Sequence, residues 1–239
     1  MKRTKQLNRR EVLAVFGAGI GAAVSACASS PSSPSTTTTS STTSTTSGNA
    51  ACAVSATETR GPYPDTVGMI NNTAFYRRDI TEGKNGLPLT LMLTIVNVNS
   101  GCSPVSNVQV EVWQCDAAGT YSAYGAGSGQ TFLRGVQTTD ASGQVTFTTI
   151  YPGWYQGRAT HIHVDVYRSG TIVKTTQIAF PESVSSAVYA SGVYASKGQN
   201  STSNAGDNVF SDGTAGELAT LTGNATNGYT AMLQVGISV

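Results

Sequence analysis

The sequence predicts an all-β fold, a two-sheet sandwich with long loops, on three observations. Val, Ile, Thr and Tyr alternate with polar residues, the two-residue period of strands. Clusters of Gly, Asn and Ser separate the alternating runs, as turns between short strands require. Helical periodicity is almost absent, so sheet packed on sheet is the remaining way to bury apolar faces.

Residues 1–27 read as an export signal outside that fold. Lys2, Arg3, Lys5, Arg9 and Arg10 form a basic head, Val12 to Val24 is apolar and small, and Val24-Ser25-Ala26 leads into Cys27. The apolar run is too short for an ordinary membrane span. Arg9-Arg10 with Leu13 resembles a twin-arginine signal, the kind that exports folded proteins. Val24-Ser25-Ala26-Cys27 resembles a bacterial lipobox, with Cys27 as the acylated first residue. The expected location is therefore exterior, with the chain lipid-anchored at the cell surface through Cys27 or, after plain cleavage, secreted. Residues 28–50 are almost entirely Ser, Thr, Pro, Ala and Gly and read as a disordered linker, because nothing in them can build a core. The leader takes five of the 14 basic and one of the 13 acidic residues, leaving nine against twelve. That mildly acidic balance excludes the nucleic-acid-binding classes.

Residues 51–239 are long enough for one domain with a full core. Leu89 to Val98 is the first clear strand and Val108 to Trp113 the second, and the two look like a hairpin with Val residues facing inward. A loop, Cys115 to Tyr121, and a Gly-rich excursion through Gly125, Gly127 and Gly129 follow. Gly135 to Ile150 reads as two strands around an Asp140-Ala141-Ser142-Gly143 turn. Tyr151-Pro152-Gly153 then breaks the chain and delivers Trp154 and Tyr155. Thr171 to Phe180 alternates again and carries Gln177. Residues 182–213 read as surface loops with one helical turn at Ser183 to Tyr189, and Tyr229 to Val239 as a closing strand. Export makes one disulfide expected among Cys52, Cys102 and Cys115, with Cys52 the partner of one of the other two.

The stretch Gly153 to Tyr167 holds both histidines of the chain. In a strand His161, His163, Asp165 and Tyr167 share one face and Ile162, Val164 and Val166 the other, the pattern of a half-buried strand that leaves its histidine face for chemistry. Two imidazoles so placed can reach one metal ion, and equally can form a polar rim.

The motifs Gly61-Pro62-Tyr63, Val112-Trp113-Gln114-Cys115-Asp116-Ala117-Ala118-Gly119-Thr120-Tyr121, Thr138 to Gly143, Thr149 to Tyr155 and Arg158-Ala159-Thr160-His161-Ile162-His163, in that order, resemble intradiol ring-cleavage dioxygenases. The similarity is to an exported, single-domain branch related to catechol and protocatechuate dioxygenases. The resemblance implies a non-haem Fe(III) ion held by Tyr121, Tyr155, His161 and His163, with Tyr155 the ligand that leaves when substrate arrives. It implies Arg158 as the catalytic arginine and Gln177 as an active-site glutamine, and no organic cofactor. Tyr124 and Tyr151 are the rivals for the two tyrosine places. Tyr63 and Trp154 are candidate pocket residues, and Asp165 and Tyr167 structural ones. The residue types suit the chemistry: tyrosinates are hard anionic donors that balance a trivalent ion, and imidazoles add no charge. A ferric ion draws a phenol down from its ordinary pKa near 10.

The implied reaction inserts both atoms of O₂ into a catechol-type diol and opens the ring to a cis,cis-muconate. An exported enzyme would meet catechols from outside the cell, such as lignin-derived aromatics. The chain has no counterpart of the helical segment through which many catechol dioxygenases dimerise, so no oligomeric state is carried over. The alternative from another class is a non-catalytic, surface-tethered β-sandwich binding module on the same scaffold.

Overall fold

The computed structural model describes residues 52–66 and 68–239. The export signal at 1–27, with Cys27, and the linker at 28–50 lie outside the described residues. The described residues contain nine strands and one α-helix, in order: β1 Pro88–Asn97, β2 Ser103–Pro104, β3 Gln109–Trp113, β4 Arg134–Thr138, β5 Gln144–Ile150, β6 His161–Arg168, β7 Thr171–Ala179, α1 Glu182–Tyr189, β8 Thr220–Asn224 and β9 Gly228–Ile237. No helix among the described residues is long and apolar enough to cross a membrane.

The strands form two sheets. The smaller runs β4-β3-β6-β7, antiparallel throughout. In the larger, β1 is central: β9 lies parallel on one side with β8 beyond it, and β5 and the short β2 share the other side. Leu91, Leu93, Ile95, Phe147 and Val235 of the larger sheet meet Val110, Val112, Ile162, Val164, Val166 and Ile178 of the smaller in one core. With Val110 and Val112 turned inward, the period of two turns Glu111 and Trp113 outward. By the same rule His161, His163 and Asp165 on β6 occupy that outer face, and Gln177, the register partner of His163, joins them from β7.

That outer face is not open. Residues His161 to Tyr167 are buried on both sides of the strand, which corrects the half-buried pattern read from the sequence. The segment before β1 lies over them. Glu58 N–H donates to Thr175 O (3.0 Å) and Gln177 Nε2 to Thr59 O (2.8 Å). Arg60 Nε donates to Asp165 Oδ2 (2.6 Å), while Met69 and Phe75 pack on Val136. Ser55 anchors the segment to the last strand, its N–H donating to Gly236 O and its Oγ accepting from Gly236 N, both at 3.0 Å.

The expected hairpin of the first two long strands does not form. β1 pairs with β5 and β9, whereas β3 pairs with β4 and β6 in the opposite sheet. The connection between them crosses the sandwich, so their Val faces meet across the core instead of side by side. The turn at Asp140 to Gly143 likewise joins strands of different sheets. Cys52 pairs with Cys102, and Cys115 is a free, buried thiol.

Candidate metal centre

Two loops and the start of β6 deliver the candidate residues. In the first loop Asp116 builds the turn after β3: its Oδ1 accepts from Ala118 N (3.0 Å) and Thr120 N (2.9 Å), and Lys84 Nζ donates to Oδ2 at 2.8 Å. The next residue is Tyr121. In the second loop, Arg158 N–H closes a turn on Tyr155 O (3.3 Å) around Gly157. The loops touch through backbone, because a Cβ on Gly153 would stand only 2.2 Å from Asp116 O.

Four polar tips meet where these elements converge. His161 Nε2 lies 3.3 Å from Tyr121 OH, 3.4 Å from Tyr155 OH and 3.2 Å from His163 Nε2. His161 Nδ1 is 2.6 Å from Ala159 O, which assigns the ring proton to Nδ1 and leaves Nε2 a lone pair facing the other three tips. The His163 ring is stacked on Trp113 with centroids 4.7 Å apart and planes 2° from parallel. Gly61, with φ +67°, also lies against this ring and leaves no room for a side chain, since a Cβ there would approach His163 Cε1 to 2.9 Å. Tyr63 stacks on Tyr121 at 4.6 Å and meets Tyr155 edge-on at 5.6 Å. Tyr121 is buried and Tyr155 half-buried.

The spacing fits a single ion. Ligands about 2.1 Å from one metal, at angles between a right angle and the tetrahedral one, stand roughly 3.0–3.4 Å from each other. The electrostatics agree. Burial, then Arg158, holds the His161 imidazole down to about 3, and burial, then His161, pushes His163 well below its usual range. Both rings are thus neutral, the form that ligates metals. Burial raises both phenols, Tyr121 the more strongly, while Arg158 opposes the rise at Tyr155. Tyrosinates here need a nearby cation. No three His, Cys, Asp or Glu side chains gather as a metal group among the described residues; the convergent set is two tyrosines and two histidines.

Arg158 and Gln177 border the set. Arg158 Nη1 is 3.4 Å from both Tyr155 OH and His161 Nε2, and its Nη2 donates to Gln177 Oε1 at 2.5 Å. The rival tyrosines are engaged elsewhere. Tyr124 OH donates to Pro64 O (2.9 Å), and Tyr151 lies in the core with its hydroxyl 2.8 Å from Ser185 Oγ. Trp154 packs against the core and donates to Gly198 O. Asp165 accepts from Arg60 and Thr175, which makes it part of the covering contacts.

Sequence reasoning missed Asp207, which is 1% exposed and accepts from Arg158 Nε through both oxygens at 2.9 and 3.0 Å. Its only signal is that Lys197 is the one other charged residue between Glu182 and Asp212. Arg60, whose guanidinium lies 5.6 Å over the Trp113 ring, was missed as well.

A family model described as dioxygenase, Dioxygenase_C, matches residues 60–203, a span that holds every one of these convergent groups. The chain belongs to the intradiol ring-cleavage dioxygenase family. The protocatechuate 3,4-dioxygenase beta chain of Burkholderia cepacia is 36% identical over 122 residues, which are 43% of this chain and 51% of that one. The chain thus spans about half the length of that curated relative. An intradiol ring-cleavage dioxygenase from Tetranychus urticae superposes with a TM-score of 0.71 at 27% identity, covering 78% of this chain and 95% of the other. The dioxygenase domain of a dioxygenase carbohydrate-binding protein fusion from Streptomyces sp. SirexAA-E gives 0.58 at 27% identity, covering 78% and 99%. These intradiol relatives share the all-β sandwich, and ring-cleaving oxidation is the chemistry of the family.

Proposed function

We propose that this dioxygenase holds a non-haem ferric ion on Tyr121, Tyr155, His161 and His163 and cleaves a catechol-type diol between its two hydroxyl-bearing carbons with O₂. The observation that carries the proposal is the convergence of two phenol hydroxyls and the His163 imidazole on His161 Nε2, each 3.2–3.4 Å from it, beside Arg158. Bound there, Fe(III) would supply a strong Lewis acid that makes the diol hydroxyls acidic and the ring electron-rich toward O₂.

The protein's part follows from its side chains. Tyr121, buried and stacked on Tyr63, has no free path and stays in place. Tyr155 is half-buried, opens a loop turn and has a cation 3.4 Å from its hydroxyl. Its Oη takes one proton from the incoming diol, and the side chain moves aside as a neutral phenol. His161 and His163 remain on the rigid strand. Arg158, a permanent cation, stabilises negative charge that develops on the substrate, and Gln177 holds its other amino group. Export, with a lipid on Cys27 or without one, would bring the site to catechols outside the cell.

The test is iron content, colour and oxygen uptake. The iron-loaded protein should be burgundy from tyrosinate-to-iron charge transfer, and anaerobic catechol should shift the band. A panel of catechol, protocatechuate, hydroxyquinol and larger diols should reveal O₂ uptake on at least one. A protein that stays colourless and inert after iron loading would leave the non-catalytic binding module as the reading.

A further inference from the structure

We infer that Asp207 is a positioning residue for this site, one that acts through Arg158. The inference rests on the dioxygenase reading. A guanidinium beside a reacting centre is useful only if its face is fixed, and a flexible Arg stem does not fix itself. Here the three donor groups of Arg158 are divided. Nε is held by both oxygens of Asp207, Nη2 by Gln177 Oε1, and Nη1 alone is left toward Tyr155 and His161. The Phe210 ring lies under the guanidinium at 5.8 Å and belongs to the same loop as Asp207.

The carboxylate is itself locked. Oδ2 accepts from Ala159 N at 2.6 Å and Oδ1 from Val209 N at 2.8 Å. Asp207 therefore ties its own loop to the turn that precedes β6. Ala159 is also the residue whose carbonyl receives His161 Nδ1, so one buried acid steadies both the cation and the backbone that sets the histidine tautomer. The pair is closely matched in charge: the side chain of Asp207 is fully buried and that of Arg158 only 12% exposed. An amide at 207 offers one oxygen where three N–H donors now find two, and leaves a desolvated cation without its anion.

The experiment uses the full chain in two forms. In metal-free protein labelled with ¹⁵N-arginine, the Arg158 Nε–H signal, assigned by its loss in Arg158→Lys, should exchange slowly in the wild type and at least about tenfold faster in Asp207→Asn. Arg60 and Arg134, whose Nε–H groups are held by Asp165 and Ser122, are internal controls and should be unchanged. In iron-loaded protein Asp207→Asn should lower kcat about 10- to 100-fold. In an Arg158→Ala background the same change should cost less than about twofold.

Full kcat in Asp207→Asn, or an undiminished loss in the Arg158→Ala background, would overturn the inference. So would loss of the Arg60 and Arg134 signals together with that of Arg158, since Asp207 would then be a folding residue. A wild type inert toward every catechol would sink the dioxygenase reading instead, and the Arg158 exchange rate would still decide whether Asp207 holds that side chain.

Discussion

Replacing Glu111 with Gln should stabilise the protein above neutral pH and leave it unchanged in acid. Glu111 sits on β3 opposite Asp165, fully buried, with the Tyr167 hydroxyl beside its carboxylate and Arg60 Nη2 3.7 Å away. Burial, reinforced by Asp65 and Asp165, raises its pKa from 4.5 to about 7, with Arg60 and a hydrogen bond from Tyr167 opposing. Between those values the folded protein keeps the proton that the unfolded chain releases. The contribution of neutral Glu111 is thus complete below pH 4.5 and is lost as pH rises through about 7. The gap sets a ceiling of about 3 kcal/mol. Gln is neutral at every pH, so Glu111→Gln should match the wild type at pH 4 and exceed it by up to about 3 kcal/mol at pH 8, less what Arg60 loses. Arg60 keeps Asp165 at 2.6 Å, which limits that loss. Urea unfolding at the two pH values measures the difference. Equal or lower stability of the variant at pH 8 would refute the assignment of Glu111 as a strained buried acid.

Four further outcomes are expected. Gly61→Ala should cost about 1–2 kcal/mol for its left-handed backbone and, by pressing on His163, weaken iron retention about 10- to 100-fold in chelator competition. Tyr121→Phe and Tyr155→Phe should each change the visible charge-transfer band, while Tyr124→Phe should leave it intact; the reverse pattern would overturn the choice of ligands. Reducing Cys52–Cys102, which closes a loop of 50 residues in sequence separation, should lower stability by about 4 kcal/mol on the chain-entropy model, read from urea midpoints with and without reductant. Cys115, buried and pushed up to about 12 by that burial, should stay unreactive to thiol reagents until the protein unfolds.

The strands were legible wherever one face had to be apolar. β1, β3, β5, β6, β7 and β9 announce themselves by alternation, and α1 by the short run near Ser183. β8 was not, because its sequence Thr-Leu-Thr-Gly-Asn packs little and shows no two-faced pattern. Pairing was not legible either. Alternation states which side of a strand is apolar and is silent on which neighbour supplies its hydrogen bonds, so β1 and β3 looked like a hairpin although they face each other across the core. Of the site, the histidines follow from the period of two, while Tyr121, Tyr155, Arg158 and Gln177 came through the resemblance. Asp207 and Arg60 lie in irregular segments, where a charged residue gives no periodic sign of what it will meet.

The contact between Ser55 and Gly236, 181 residues apart, bears on the order of assembly. The covering segment that presses Gly61 against His163 is fastened to β9, the last strand to be made. Long-range closure of this kind comes late in folding. Without β9 the β6–β7 pair can still form and can still receive Glu58, Thr59 and Arg60, but the start of the covering segment at Ser55 loses its backbone partner. The face that carries both histidines is therefore covered in two stages, the second of which waits for Ser55 to pair with β9.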